Sequence, residues 1–162
     1  MPRLRRGQSM VEFAVLAPIF FLLLLGTLDL GRAIYTYNAI ADAAREGART
    51  AVPYECQNQT GLNCPVAAAV SSKLGGGFSL ALDPCVATRT PSNNACPTPD
   101  SATANPPSNT GYVWISPNVG QSGHQQVIVR ITFEFQPWIP VVRDAAGQGV
   151  ALIAESTMVT EY

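Results

Sequence analysis

The strongest hydrophobic pattern in the chain lies near its N-terminus. Residues 13–28 read FAVLAPIFFLLLLGTL and contain no charged side chain, with Glu12 before the run and Asp29 after it. Sixteen residues of helix rise about 24 Å, slightly less than the roughly 30 Å hydrocarbon thickness of a bilayer. The preceding apolar residues extend the run, so the pattern predicts a transmembrane segment over about residues 11–28.

The pattern then changes to that of an amphipathic helix. Helix-forming residues continue to Pro53, and opposite charges three residues apart support the helix weakly. The apolar residues recur at intervals of three and four: Leu30, Ala33, Ile34, Tyr37, Ala41, Ala44 and Ala48. We therefore expect one long helix over residues 8–52, half inside a membrane and half outside, followed by a separate domain over residues 53–162.

The patterns after Pro53 are shorter and indicate mixed secondary structure. Pro65 can open a helix with the sequence VAAAVSSKL, and residues 88–108 have the Pro/Asn/Ser/Thr content of a loop. A turn is expected around Asp144, Gly147 and Gly149. The predicted strands are 78–83, 112–116, 126–136 and 150–160, of which 126–136 alternates most regularly.

These elements predict an α+β fold. A small antiparallel β-sheet packed on the extramembrane half of the long helix would bury the apolar faces of both, which is the general plan of a pilin. Trp114 and Trp138 are expected to pack in the core or at its edge.

Charge is distributed unevenly and indicates topology. The net charge is −1, but Arg3, Arg5 and Arg6 precede the first acidic residue, and the remaining seven basic and eleven acidic residues give −4. By the positive-inside rule the N-terminus lies in the cytoplasm and the C-terminal domain outside it. A cleaved secretory signal is the alternative, but the apolar run is long for one and no convincing A-x-A site follows. The mildly acidic remainder gives no reason to expect nucleic-acid binding.

The four cysteines all follow the apolar run, at Cys56, Cys64, Cys85 and Cys96. Outside the cytoplasm they would form disulfides, and the absence of a CxxC pair disfavours zinc. Three pairings are possible, and the local one (56 with 64, 85 with 96) is favoured because short loops lose least entropy on closure. No metal or other cofactor is predicted.

The N-terminal motif RRGQSMVEF, residues 5–13, carries the functional information. An ionisable residue at the edge of a membrane span usually has a partner. The short basic leader, Gly7, the small or polar residues, Glu12 and the apolar run together resemble the type III signal of prepilins. That resemblance implies cleavage between Gly7 and Gln8 by a prepilin peptidase, with residues 1–7 as the leader. Glu12, fifth in the mature chain, would then pair with the α-amino group of an adjacent subunit, and Glu12 and Phe13 are the candidate assembly residues.

More specifically, the sequence is similar to the TadE-like pseudopilins of tight-adherence (Flp-type) pilus systems. The similarity lies in RRGQSMVEFAVLAPIFFLLLLGTLDLGRAIY and NAIADAAREGAR, and in the later segments QVIVRITFEFQPWIP and VALIAESTMVTEY. It implies a small exported protein of the cytoplasmic membrane that helps to assemble or prime a pilus. The implied partners are other pilins, the prepilin peptidase, the inner-membrane pilus platform and membrane lipid. The cysteine-bearing segment 54–109 departs from the family pattern.

Catalysis is not expected. The single histidine, His124, lies in the flexible sequence GQSGHQQ, and no G-x-S-x-G, P-loop or HExxH motif occurs. A small membrane-anchored hydrolase therefore has no supporting residues. The remaining alternative to a pilus component is a membrane-tethered extracytoplasmic binding module that does not polymerise, which would keep its N-terminus uncleaved.

Overall fold

A computed structural model describes residues 5–52, 65–87, 96, 98–99, 106–116, 126–147 and 149–159, with the side chains of the first helix described from Gln8 onward. The first helix, α1, is Arg5–Ala51, 47 residues without interruption. At 1.5 Å per residue it is about 70 Å long. The single long helix predicted from the apolar run and its amphipathic continuation is therefore present.

Shorter elements follow, and the helix at Pro65 and the four strands come in the order that the sequence patterns indicated. Helix α2 is Pro65–Leu74, with proline at its first position, and Gly75–Gly77 form a turn in which Gly75 has a φ of 68°. The later elements are β1 (Ser79–Leu82), α3 (Pro84–Ala87), β2 (Thr110–Ile115), β3 (Gln126–Phe135), α4 (Pro140–Ala145) and β4 (Val150–Val159).

The four strands form one sheet in the order β1-β2-β3-β4. Strands β2, β3 and β4 are antiparallel, but β1 pairs with β2 in parallel. The sheet is therefore mixed, whereas the sequence predicted a wholly antiparallel one. The 27 residues between β1 and β2 are long enough to bring the chain back for a parallel pairing. The α+β, pilin-like arrangement of a long helix on a small sheet is confirmed.

The core lies between the second half of α1, helix α2 and one face of the sheet. Alternate residues of β3, from Val127 to Phe135, are buried, as the period of two predicts. Gly47 lies where α1 crosses α2, and a Cβ atom there would lie 2.6 Å from Val70 Cγ2 and 3.2 Å from Val129 Cγ1. The buried side of α1 is consequently made mostly of small residues: Ile40, Ala43, Ala44, Gly47, Ala48 and Ala51.

The predicted apolar stripe of α1 was right for its alanines, since Ala33 and Ala41 also pack partly buried against the core, and wrong for its large side chains. Ala44 and Ala48 are buried, but Leu30, Ile34 and Tyr37 are exposed. The residues of this part of α1 that face the core are instead Asp29, Ala33 and Thr36. Because the sheet packs close to the helix, only small side chains fit between them over most of the contact, and these three larger apolar side chains stay exposed.

Two further expectations need correction near the end of β3. The segment expected to be a turn contains the six-residue helix α4, opened by Pro140. Trp114 is buried, at 5% exposure, as predicted, whereas Trp138 is 75% exposed and belongs to neither the core nor its edge. The tight β3–α4 connection, which begins at Pro137, turns the indole outward.

The disulfide between Cys85 and Cys96 joins α3 to the segment that follows it, with a Cα–Cα distance of 5.8 Å. Asp83 caps α3, because its Oδ1 accepts a hydrogen bond from the Cys85 backbone N–H at 2.7 Å. Several predicted features lie outside the described residues: most of the leader, Cys56, Cys64, His124 and most of the loop at 88–108.

Candidate membrane and assembly helix

None of the described residues of the domain covers the N-terminal part of α1. The helix is long and apolar enough to cross a membrane, and none of its most hydrophobic window is buried. Large side chains on every side of the helix are exposed, including Phe13 at 72% and Leu23 at 63%. An uninterrupted apolar surface around a whole helix is typical of a membrane span or of a helix that packs among other helices.

Glu12 and Gln8 are brought together at the start of this surface. The Gln8 Nε2 atom donates a hydrogen bond to Glu12 Oε1 at 3.2 Å, one helical turn away, and both side chains are exposed. Among the side chains described from Gln8 onward, no cation lies within ion-pair distance of Glu12. The carboxylate is therefore accessible to a group from another molecule. Gly7 lies within the helix, next to Gln8.

The exposed apolar surface continues beyond the predicted membrane span. Leu30 is 60% exposed, and Ile34 and Tyr37 follow it at the helical intervals of four and three. These side chains form an exposed stripe along α1, beside its contact with the domain. The stripe gives the second half of the helix a surface of the kind that packs against a neighbouring helix.

Asp29 joins the end of the apolar run to the sheet domain. It is only 6% exposed. Its Oδ2 accepts hydrogen bonds from the backbone N–H groups of Trp138 and Ile139, both at 3.1 Å, and the Trp138 N–H also lies 3.3 Å from Oδ1. These bonds link residues that are about 110 positions apart and satisfy two backbone donors that the β3–α4 connection would otherwise leave unpaired.

Arg32 completes this junction. Its Nη1 donates to Asp29 Oδ1 at 3.0 Å, which is the pair predicted from the three-residue spacing. Its guanidinium carbon lies 3.6 Å from the centroid of the Trp138 ring and 5.3 Å from that of Phe135. The guanidinium therefore stacks on the exposed indole, a favourable cation–π arrangement.

The sequence singled out Glu12, which is exposed before the apolar run, and indicated for Asp29 only the weak surface pair with Arg32. The signal for Asp29 was present, because it is the residue that ends the apolar run. Its partners are backbone groups far along the chain, and no local pattern indicates them.

Comparison with known proteins identifies the helix and not the domain. The family model described as TadE-like protein matches residues 7–49. No curated protein matches the chain, and no solved structure does. The matched segment starts at Gly7, includes Glu12 and the whole apolar run, and ends two residues before α1 does. In this N-terminal helix the chain is similar to the TadE-like proteins, a family associated with Tad (Flp-type) pili.

Proposed function

We propose that the protein is a minor pilin or pseudopilin, a structural and non-catalytic component that helps to assemble or prime a Flp-type pilus. A prepilin peptidase removes residues 1–7, and the mature chain, beginning at Gln8, stays in the cytoplasmic membrane until its helix joins those of sibling subunits. The inner-membrane platform of the pilus system is the site of that transfer.

The observation that carries this proposal is the uncovered state of α1 from Gln8 to Leu28. A helix of this hydrophobicity in water would cost about 25 cal/mol for each Å² of exposed apolar surface. Lipid covers that surface before assembly, and neighbouring helices cover it afterwards. The outward stripe of Leu30, Ile34 and Tyr37 extends the same packing surface above the membrane.

Glu12 supplies the specificity of assembly. In the precursor it accepts a hydrogen bond only from Gln8 among the described side chains. After cleavage Gln8 would carry a cationic α-amino group. A carboxylate and an ammonium group at about 4 Å attract with roughly 4 kcal/mol at an effective dielectric constant of 20, so the pair would fix the axial register between adjacent helices.

The topology follows from the arginines at the N-terminus. Three positive charges before the span retain that end in the cytoplasm, so the sheet domain lies outside the cytoplasmic membrane. The Cys85–Cys96 disulfide is consistent with an oxidising compartment.

The first test is the intact mass and N-terminal sequence of the protein purified from the membranes of its native host. We expect a chain that begins at Gln8, and we expect replacement of Gly7 by leucine to leave the precursor uncut. A wild-type chain that still begins at Met1 would favour the tethered binding module, and a chain that begins beyond Leu28 would mean that the apolar run is a secretory signal.

The second test is Glu12→Gln, which keeps the size of the side chain and removes its charge. We expect the variant to insert into the membrane and to be cleaved normally, but to reduce the number of pili per cell severely. Glu155→Gln, which removes an exposed carboxylate from β4, is the matched control and should leave piliation unchanged. Normal piliation by the Glu12 variant would refute the assembly role.

A further inference from the structure

The connection between β3 and α4 presents an exposed apolar surface that the proposed pilus function does not use. Trp138 is 75% exposed and Val141 is 63% exposed, and the half-buried Ile139 lies between them. Side chains of this kind are usually covered, and here they lie together on residues 138–142, which we call the β3–α4 turn.

The hydrogen bonds of Asp29 fix the height of this turn along α1. Because Trp138 and Ile139 donate directly to that carboxylate at 3.1 Å, the turn lies at the level of Asp29, one residue after the apolar run ends at Leu28. A second feature agrees with this placement. An apolar cleft of about 380 Å³ has Gly26 and Leu30 on its helix side and Pro137 and Val142 on its domain side, so the domain reaches the level of the last turn of the run.

The length of the run places this level in a bilayer. From Glu12 to Asp29 there are seventeen residues, which rise about 26 Å in a helix, whereas the hydrocarbon core is roughly 30 Å thick. With Glu12 at one boundary, Asp29 therefore lies at or slightly below the opposite boundary. The β3–α4 turn cannot stand clear of the lipid in that position.

The chemistry of the turn fits such a site. Tryptophan concentrates at the membrane–water interface because its ring is apolar and its N–H is polar. Arg32, stacked on the Trp138 ring, and Arg143, paired with Asp144 at 3.6 Å, provide two cations near the level of lipid phosphates. Arginine side chains commonly extend to that level from apolar surroundings.

We infer that the β3–α4 turn is seated in the interfacial layer of the lipid bilayer, beside the end of the transmembrane helix. The partner of this surface is the lipid itself, with the Trp138 indole at the boundary between acyl chains and headgroups. This contact between the β3–α4 turn and the lipid, which we call the membrane seat, holds the sheet domain at a fixed height and orientation on the membrane before assembly. This inference rests on the proposed membrane insertion of α1.

The two tryptophans make the inference testable, because Trp114 is buried in the core and Trp138 is exposed. The full chain is reconstituted in phosphatidylcholine nanodiscs that contain lipid brominated at a shallow or a deep acyl position. In the Trp114→Phe variant we expect the shallow quencher to reduce the Trp138 emission to about half, and the deep quencher to reduce it less. In the matched Trp138→Phe variant, Trp114 should be quenched little by either.

The wild-type chain gives the same information if Trp114→Phe fails to fold, because the quenched part of its emission must disappear in Trp138→Phe. A charged side chain in the β3–α4 turn should move the turn out of the lipid. Val141→Asp in the Trp114→Phe background should therefore lower the quenching, whereas Val159→Asp, at a 53% exposed position at the far end of β4, should not.

The outcomes separate this inference from the proposed function. Resistance of the wild-type chain to alkaline carbonate extraction reports insertion of α1. An inserted chain whose Trp138 is not quenched would overturn the membrane seat and leave the pilin proposal standing. Trp138 emission that brominated lipid does not quench at one chain per nanodisc, but that shifts to shorter wavelength as the number of chains rises, would show that a second copy covers the turn, which also overturns the seat. A chain that is extracted by carbonate would overturn both.

Discussion

Replacement of Asp29 by alanine should destabilise the sheet domain far more than the loss of an ordinary helix-surface carboxylate. Asp29 is 6% exposed and accepts hydrogen bonds from two backbone N–H groups, those of Trp138 and Ile139. Hydrogen bonds to charged groups contribute roughly 1.5–3 kcal/mol each, and less where water can replace the lost acceptor, as it can at these part-buried N–H groups. Because the alanine variant removes the acceptor of both N–H groups, we expect a loss of about 2–4 kcal/mol in the free energy of unfolding.

The chain contains a matched control on the same helix. Asp42 pairs with Arg45 at 2.8 Å, with the same three-residue spacing as Asp29 and Arg32, but both its side chain and that of Arg45 are more than half exposed. Exposed pairs of this kind contribute about 0.5 kcal/mol or less. Asp42→Ala should therefore have little effect. Asp29→Asn, which keeps one acceptor oxygen without the charge, should fall between the two alanine variants.

The assay is thermal unfolding of the full chain in detergent micelles under non-reducing conditions, with amide hydrogen exchange of residues 138 and 139 as the local readout. For a domain of this size, a loss of 2–4 kcal/mol corresponds to a fall in Tm of about 10 °C or more. Exchange at the two amides should accelerate in Asp29→Ala before global unfolding. Equal Tm values for Asp29→Ala and Asp42→Ala would refute the assignment of Asp29 as the junction between helix and domain.

Two further predictions concern packing and pH. Gly47→Ala should destabilise the protein by up to about 2 kcal/mol, because crowding against Val70 costs about 1–3 kcal/mol and the helix-propensity gain of about 1 kcal/mol offsets only part of that cost. Gly31→Ala, where no atom lies within 4 Å of the added Cβ, should stabilise it slightly, and equal effects of the two substitutions in thermal unfolding would contradict the close packing. Burial raises the pKa of Glu134 above its ordinary value of 4.5, so its ionisation disfavours the folded state as pH rises through that raised pKa. Glu134→Gln should accordingly increase stability at pH 7 and have no effect below about pH 4, and a gain that persists at low pH in urea titrations would contradict this cause.

Much of the secondary structure could be predicted because the periodicities were long enough to be unambiguous. The 47 residues of α1 combine an apolar run with a helical repeat, and ten residues of β3 alternate regularly. Helix α4 was missed because six residues, opened by a proline among apolar neighbours, are too short to show a helical period. The parallel pairing of β1 depends on where a long connection returns, which no local pattern records.

The functional residues divide in the same way. Gly7, Gln8 and Glu12 lie within a few positions of one another, so a linear motif defines them, and their roles in processing and assembly remain predictions. The junction between α1 and the domain is different, since Asp29 and Arg32 meet Trp138 across more than a hundred residues.

The sequence alone determined that the chain has a long apolar helix, an acid at its start, a positive N-terminus and a small α+β domain. Each of these follows from composition or from a repeat along the chain, and each is therefore readable without knowing any distant contact. The tertiary structure decided which side of α1 faces the sheet, why small residues line that side, and why Trp138 is exposed beside the end of the apolar run. Those features depend on close packing and on hydrogen bonds between distant residues, which exist only once the chain has folded.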